Sequence, residues 1–139
     1  MPKLSKEEQA EGLWYLAQVR AEQGKYREAI PNLTQLEKEI SDFHMAFQSA
    51  LKQGLLQGRY LGDWNQAEIA WQRASKLAKE DQQHWEADCH LATVPFFKKH
   101  YRQAVEALEG LLKQYPTEQT ADFVRPYLWF IKNCTEKKI

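Results

Sequence analysis

The sequence is poor in residues that favour β-strands and in cysteine. Valine, isoleucine and threonine number 14 of the 139 residues, whereas alanine, leucine, glutamine, glutamate, lysine, arginine and methionine together number 79. Because the second group favours helices, this composition excludes a fold built on sheets and predicts an all-α protein. Cys89 and Cys134 lie 45 residues apart without a C-x-x-C pair, a usage that favours a reducing compartment over a disulfide framework.

An excess of charge of one sign and long apolar runs are also missing. Nineteen Lys and Arg residues balance nineteen Asp and Glu residues, so no net field attracts the chain to nucleic acid or to an anionic membrane surface. No segment approaches the ~18 consecutive apolar residues of a transmembrane helix, and the first eleven residues hold no apolar run typical of a signal peptide. We therefore expect a cytoplasmic protein with neither nucleic acid nor membrane as its partner.

The common motifs of catalysis are absent from the sequence as well. It contains no G-x-x-x-x-G-K-[ST], G-x-G-x-x-G or G-x-S-x-G motif. His84 and Asp88 have the i, i+4 spacing of metal ligands on a helix, but a third ligand at a suitable spacing is missing. We therefore expect no enzyme activity, no metal site and no cofactor.

Three segments of the chain align on one another. Each contains a turn residue, an aromatic residue two positions later and an alanine three positions after that. The alanines, Ala29, Ala67 and Ala104, are 38 and 37 residues apart, a repeat length that fits a pair of helices with short connections. The three sets are Gly24, Tyr26 and Ala29; Gly62, Trp64 and Ala67; and Lys99, Tyr101 and Ala104.

Apolar residues on both sides of each alanine recur at helical spacing, so each unit is predicted to be a helix, a turn and a second helix. The pairs are predicted at about 6–41, 42–80 and 81–116, with a C-terminal helix at about 117–134, giving about seven helices. No low-complexity linker interrupts them, so residues 1–139 are predicted to form a single domain.

Polar residues predict where several helices begin. Ser5 and Glu8 have the spacing of a capping box for the first helix, and Asp63 can cap the fourth. Ser41 or Asp42 is expected to cap the third helix.

Prolines and glycines fall inside predicted helices. Pro31 predicts either a bend in the second helix or a late start, and Pro126 predicts either a kink in the last helix or a separate short helix. Gly54, Gly58 and Gly62 recur at every fourth residue and predict close helix packing in the second unit.

The repeat pattern resembles the tetratricopeptide repeat family, which has a turn glycine, an aromatic residue, a small alanine and a closing proline in each unit. The period here is three or four residues longer than is usual in that family, and Lys99 replaces the third turn glycine. The resemblance implies a right-handed α-α superhelix, in which the first helices of successive pairs line a concave groove. The matching residues are Gly24, Tyr26 and Ala29; Gly62, Trp64 and Ala67; and Tyr101, Ala104 and Pro116.

The resemblance also implies a function. Members of the family are non-catalytic adaptors or scaffolds that bind a peptide or helix of another protein in the concave groove. Aromatic side chains prevail at several of the corresponding positions here, which favours a partner with apolar anchors over a purely charged one. These positions are Trp14, Gln18, Lys52, Leu56, Arg59, Tyr60, Thr93, Phe96 and Phe97.

The last predicted helix carries more apolar surface than a terminal cap needs. Val124, Leu128 and Ile131 form one stripe, and a second stripe contains Phe123, Tyr127 and Phe130, with Trp129 between the two. We expect the second stripe to be covered by another protein or by a second copy in a homodimer. The alternative function is therefore an oligomerisation or sensory module that assembles through Phe123, Tyr127, Trp129 and Phe130.

Overall fold

The computed structural model describes residues 3–39 and 43–135, and within these ranges the chain is helical without strands. The all-α prediction is therefore confirmed. The described helices are α1 Lys6–Glu22, α2 Tyr26–Glu39, α3 Phe43–Leu55, α4 Trp64–Leu77, α5 Asp81–Phe97, α6 Tyr101–Gln114 and α7 Glu118–Phe130. Wider π-helical turns at Leu56–Tyr60 and Ile131–Thr135 extend α3 and α7.

Two of the predicted helix caps are present. The Glu8 amide donates to Ser5 Oγ at 3.1 Å and the Ser5 amide donates to Glu8 Oε1 at 3.2 Å, which completes the capping box of α1. The Gln66 amide donates to Asp63 Oδ1 at 3.1 Å at the start of α4. The predicted caps Ser41 and Asp42 lie outside the described residues.

The three aligned turn residues share one backbone conformation. Gly24, Gly62 and Lys99 have φ angles of 78°, 71° and 65°, in the left-handed region that glycine adopts readily and other residues adopt at a cost. Because all three aligned positions adopt this conformation, the sequence alignment of the repeats is confirmed at their turns. In the third repeat, Lys99 thus adopts the left-handed conformation that glycine adopts in the first two repeats.

Backbone hydrogen bonds close the turns after α1 and α5 in the same way. The Lys25 amide donates to the Arg20 carbonyl, and the His100 amide donates to the Pro95 carbonyl, both at 2.8 Å. This is the six-residue closure of a Schellman motif, which needs a left-handed residue just past the helix.

Pro31 and Pro126 both lie within continuous helices. α2 begins at Tyr26 and includes Pro31, so the alternative of a late start is wrong. α7 runs from Glu118 to Phe130 and includes Pro126, so Pro126 does not begin a separate helix.

The chain divides into two compact units, residues 1–87 and 88–139, with the boundary inside α5. The single-domain assignment and the right-handed superhelix stay predictions. In the first unit the apolar core is formed by side chains from α2, α3, the π-helical turn and α4. Its largest members are Leu33, Leu36, Phe47, Leu56 and Trp71.

Close packing of α3 against α4 depends on two glycines. A Cβ atom built on Gly54 would overlap the indole ring of Trp71, and one on Gly58 would lie 2.6 Å from Trp64 Cζ3. The Trp71 indole N–H donates to the Leu51 carbonyl at 3.2 Å, which fixes the ring in this position. The predicted role in close helix packing is confirmed for Gly54 and Gly58. It is wrong for Gly62, which lies in the turn before α4 and has open space at its Cβ position.

In the second unit, α6 and α7 pack through small and aliphatic side chains. Ala104, Leu108 and Leu111 of α6 and Val124 of α7 are buried. The Tyr115 hydroxyl, just after α6, donates to Asp88 Oδ2 of α5 at 2.6 Å. This bond ties the end of the helix pair back to its first helix.

Candidate partner-binding surfaces

In the first unit, α1 and α3 leave an open groove with apolar walls and an acidic rim, which we call the acidic groove. Its volume is about 760 Å³. The side chain of Tyr15 is 70% exposed and that of Leu4 is 59% exposed. Adjacent large apolar side chains with this exposure are typical of an interaction site. The lining residues are Leu4, Glu8, Glu11, Gly12, Trp14, Tyr15 and Met45.

Trp14 forms the fixed part of the acidic groove. Its half-buried ring packs against the core cluster of Ala17, Ala29, Leu33 and Leu56. The ring therefore presents an aromatic surface to the groove without loss of side-chain freedom on binding.

Gly12 lies in the interior of α1, on the groove surface, one turn after Glu8 and one turn before Tyr15. A Cβ atom built on Gly12 would have no other atom within 4 Å. Glycine in a helix interior is less favourable than alanine by about 0.5–1 kcal/mol. Among the described residues no packing contact accounts for this cost, and the missing side chain leaves open space at this point of the groove lining.

The other sequence-predicted groove residues of the first unit do not line the acidic groove. Gln18 and Lys52 are half-buried and Arg59 is exposed. Tyr60 is exposed on one face, and its ring stacks on that of Tyr26 with centroids 4.4 Å apart. Of the nine predicted groove residues named in the sequence analysis, Trp14 is the one that lines the acidic groove.

The assignment of Leu56 to a partner-binding surface is wrong, because its side chain is 0% exposed. It packs in the core cluster with Ala29 and Leu33. Ser49, seven residues earlier on the same face of α3, is also buried and donates its hydroxyl to the Leu33 carbonyl at 2.8 Å. This face of α3 therefore contacts α2 and is not available to a partner.

A polar network links α2, α3 and α4, and the sequence analysis did not predict it. Arg73 Nε donates to Glu37 Oε2 at 3.0 Å, and Arg73 Nη2 donates to Gln53 Oε1 at 3.1 Å. The buried Gln53 amide also donates to Glu37 Oε1 at 2.8 Å, and Thr34 Oγ1 donates to Gln53 Oε1 at 3.0 Å. Because these groups satisfy one another, the network holds three helices together and does not offer unpaired groups to a ligand.

An aromatic cluster in the second unit combines residues of the predicted groove with residues of the predicted assembly face. Phe96 of α5, a predicted groove residue, lies 5.0 Å from Tyr127 and 5.3 Å from Phe130 of the predicted assembly face, measured between ring centroids. Phe97 lies 6.2 Å from Tyr127, and Phe123 lies 5.6 Å from Tyr127. α5 therefore covers part of this stripe of α7, while Phe130 stays 39% exposed. Cover of the rest by another protein or by a second copy stays a prediction.

The assignment of Thr93 to the partner groove is also wrong. Its side chain is 4% exposed, and its hydroxyl donates to the His90 carbonyl at 2.7 Å. The family resemblance places Thr93 in the groove with Phe96, one turn away, but the packing of the unit buries it.

In the second unit, α6 and α7 leave another open groove, with apolar walls and a basic rim, which we call the basic groove. Its volume is about 610 Å³. Trp129, from the predicted assembly face, is 60% exposed at its edge. Arg125 and Lys132 flank Trp129, one turn before and one turn after it, and Arg125 also pairs with the exposed Asp122 at 2.9 Å. The lining residues are Leu112, Ala121, Val124, Arg125, Leu128, Trp129, Lys132 and Asn133.

The two cysteines occupy different environments. Cys89 of α5 is buried, whereas Cys134, in the turn that extends α7 beyond the basic groove, is exposed. Neither cysteine forms a disulfide bond.

Within residues 3–39 and 43–135, no group of three or more His, Cys, Asp and Glu side chains is placed to hold a metal ion. Asp88, half of the i, i+4 pair considered for metal binding, accepts the Tyr115 hydrogen bond. No described helix has the length and apolar character needed to cross a membrane.

Residues 86–117 match the model of a known family, described as tetratricopeptide repeat. The matched range corresponds to most of α5, the turn at Lys99 and α6, which is the third predicted helix pair. A comparison with curated proteins gives no match.

Proposed function

We propose that the chain, which carries a tetratricopeptide repeat at residues 86–117, is a non-catalytic protein–protein interaction module that binds a segment of another protein in the acidic groove. The observation that carries this proposal is the exposure of Tyr15 and Leu4 in the same groove that the fixed Trp14 ring lines. A cytoplasmic location is part of the proposal and is supported by Cys89 and Cys134, neither of which forms a disulfide bond.

The walls of the acidic groove favour a partner with an aromatic or large aliphatic anchor. Tyrosine and tryptophan contribute much of the binding energy at protein interfaces, because they bury a large area and lose little side-chain freedom. Trp14 is held by the core, and Tyr15 is free to cover a bound side chain. The anchor is therefore expected to lie between these two rings.

The rim of the acidic groove favours a positively charged partner segment. Glu8 and Glu11 are both exposed, and the residues that line the groove include no Lys or Arg. A Lys or Arg next to the apolar anchor would pair with these carboxylates and fix the orientation of the segment.

The proposal can be tested by selecting ligands from a random-peptide display library on the intact protein. We expect enriched peptides to combine an apolar anchor with Lys or Arg. Tyr15→Ala should weaken their binding about 30-fold, since truncating an aromatic hot spot costs about 2 kcal/mol. Fluorescence anisotropy with labelled peptides provides the measurement.

Ile69→Ala is the matched control, because Ile69 is also an exposed apolar residue of the first unit but lines neither groove. This variant should bind the selected peptides as the unmodified protein does. Enrichment of acidic peptides, or equal binding by the Tyr15→Ala and Ile69→Ala variants, would show that the acidic groove is not the binding site.

A further inference from the structure

We infer that the partner of the acidic groove is a second copy of this chain, which inserts the Trp129 edge of its basic groove. This inference rests on the proposed function, since it names the protein that occupies the proposed site. The contact would be heterologous, because two different surfaces meet.

The charges of the two grooves are complementary. Among the described lining residues, the acidic groove has Glu8 and Glu11 at its rim and no basic residue. The basic groove has Arg125 and Lys132 at its rim and no acidic lining residue in the described part of the chain, although Arg125 also pairs with the neighbouring Asp122. When apolar walls meet, opposite charges at their rims set the orientation and suppress other pairings. Although the net charge of the chain is zero, it thus has two local surfaces of opposite charge.

The shapes of the two surfaces also correspond. Trp129 is the large exposed side chain at the edge of the basic groove, and Gly12 leaves open space in the lining of the acidic groove. Arg125 lies one turn from Trp129, as Glu8 lies one turn from Gly12. An indole ring placed over Gly12 would therefore bring the charged rims next to each other.

The same charges disfavour a two-fold contact between two α7 helices. In that arrangement, Arg125 and Lys132 would face the same cations of the other copy, and like charges at an interface are destabilising. A heterologous contact instead leaves one free acidic groove and one free basic groove. Further copies then join the assembly as the protein concentration rises, unless the rotation that relates successive copies closes it into a ring.

The decisive experiment mixes two variants and follows their size by sedimentation velocity. Trp129→Ala removes the inserted side chain and Tyr15→Ala removes a wall of the receiving groove, so each variant by itself should sediment as a monomer. Their mixture should form a one-to-one complex, because each supplies the surface that the other has lost. The Ile69→Ala variant should assemble as the unmodified protein does.

Gly12→Ala provides an independent test. Alanine should raise the melting temperature of the monomer but weaken self-association about tenfold, since its methyl group occupies the space needed by the indole ring. Gly110→Ala is the matched control, because Gly110 is a helix glycine with no atom within 4 Å of a built Cβ and lines neither groove. It should raise the melting temperature and leave self-association unchanged.

The outcomes separate this inference from the proposed function. A protein that binds selected peptides through Tyr15 but remains monomeric at all concentrations would overturn the inference and leave the proposed function standing. Assembly that is lost in the Trp129→Ala variant and is not restored by mixing with the Tyr15→Ala variant would also overturn it, in favour of an α7–α7 contact. Assembly with restoration, together with displacement of the second copy by selected peptides, would support both.

Discussion

Lys99 has a backbone conformation that costs an ordinary residue free energy. Its φ angle of 65° matches those of Gly24 and Gly62 at the equivalent turns. A left-handed conformation costs a non-glycine residue about 1–2 kcal/mol. The chain accepts this cost because the turn between α5 and α6 requires the conformation, whichever residue occupies it.

Lys99→Gly is therefore expected to stabilise the protein by about 0.5–1 kcal/mol, since relief of the strain exceeds the additional freedom that glycine gives the unfolded chain. Urea denaturation followed by circular dichroism provides the measurement. Gly24→Lys, at the equivalent turn, should have the opposite effect. A fall in stability on Lys99→Gly would contradict the equivalence of the two turns.

Gly54 and Gly110 are both helix glycines, but their surroundings are opposite. Gly54→Ala should destabilise the protein by about 1–3 kcal/mol, because the added methyl group overlaps the Trp71 ring and forces α3 and α4 apart. Gly110→Ala should stabilise it by about 1 kcal/mol through helix propensity alone. Thermal denaturation of the two variants distinguishes these effects. If both variants shifted the midpoint in the same direction, the close approach of α4 to Gly54 would be wrong.

At the scale of the helix, α7 is held to its unit by aromatic rings. Phe96 lies near Tyr127 and Phe130, so it contacts α7 over one full turn. Substituting both Phe123 and Phe130 would therefore disturb folding as well as any assembly. Trp129 lies on α7 outside this cluster, which makes it the suitable position for testing assembly without loosening the helix.

Phe96→Ala is expected to lower the stability of the second unit by about 2 kcal/mol, less than the 3–5 kcal/mol of a fully buried phenylalanine, because the ring is half-buried. Hydrogen exchange in dilute solution should show faster exchange in α7 and little change in α1 and α2. Trp129→Ala, measured in the same way, should leave the exchange of α7 unchanged. Unchanged exchange in the Phe96→Ala variant would mean that other contacts hold α7.

Helix periodicity, alanine anchors and turn residues allowed most elements to be predicted from the sequence. Their bounds follow from local chemistry, such as the capping box at Ser5 and the shared turn conformation that ends at Lys99. The surfaces were less predictable. A helical period states which residues share a face, but not which neighbouring helix that face meets, so Leu56 and Thr93 were assigned to a surface when both are buried.

At the scale of the whole molecule, the residues of the acidic groove that were not predicted show the same limit, because the sequence does not state which elements meet. Leu4 precedes the first helix, and Met45 lies on a different helix from Trp14, so the groove that joins them exists only after α1 and α3 have packed. Tyr15 stands next to Trp14 in the sequence, yet its exposure depends on what the fold leaves uncovered. The even charge count likewise concealed two rims of opposite sign, which tertiary structure separates.

The difference in accessibility between the two cysteines has a practical consequence. A thiol-reactive dye applied to the native protein should attach to Cys134 and spare the buried Cys89. The label would then lie in the π-helical turn at Ile131–Thr135, two residues after Lys132. Cys134 itself is not among the residues that line the basic groove. Unmutated chains carrying donor and acceptor dyes at this position could report association between copies by energy transfer, without any engineered residue.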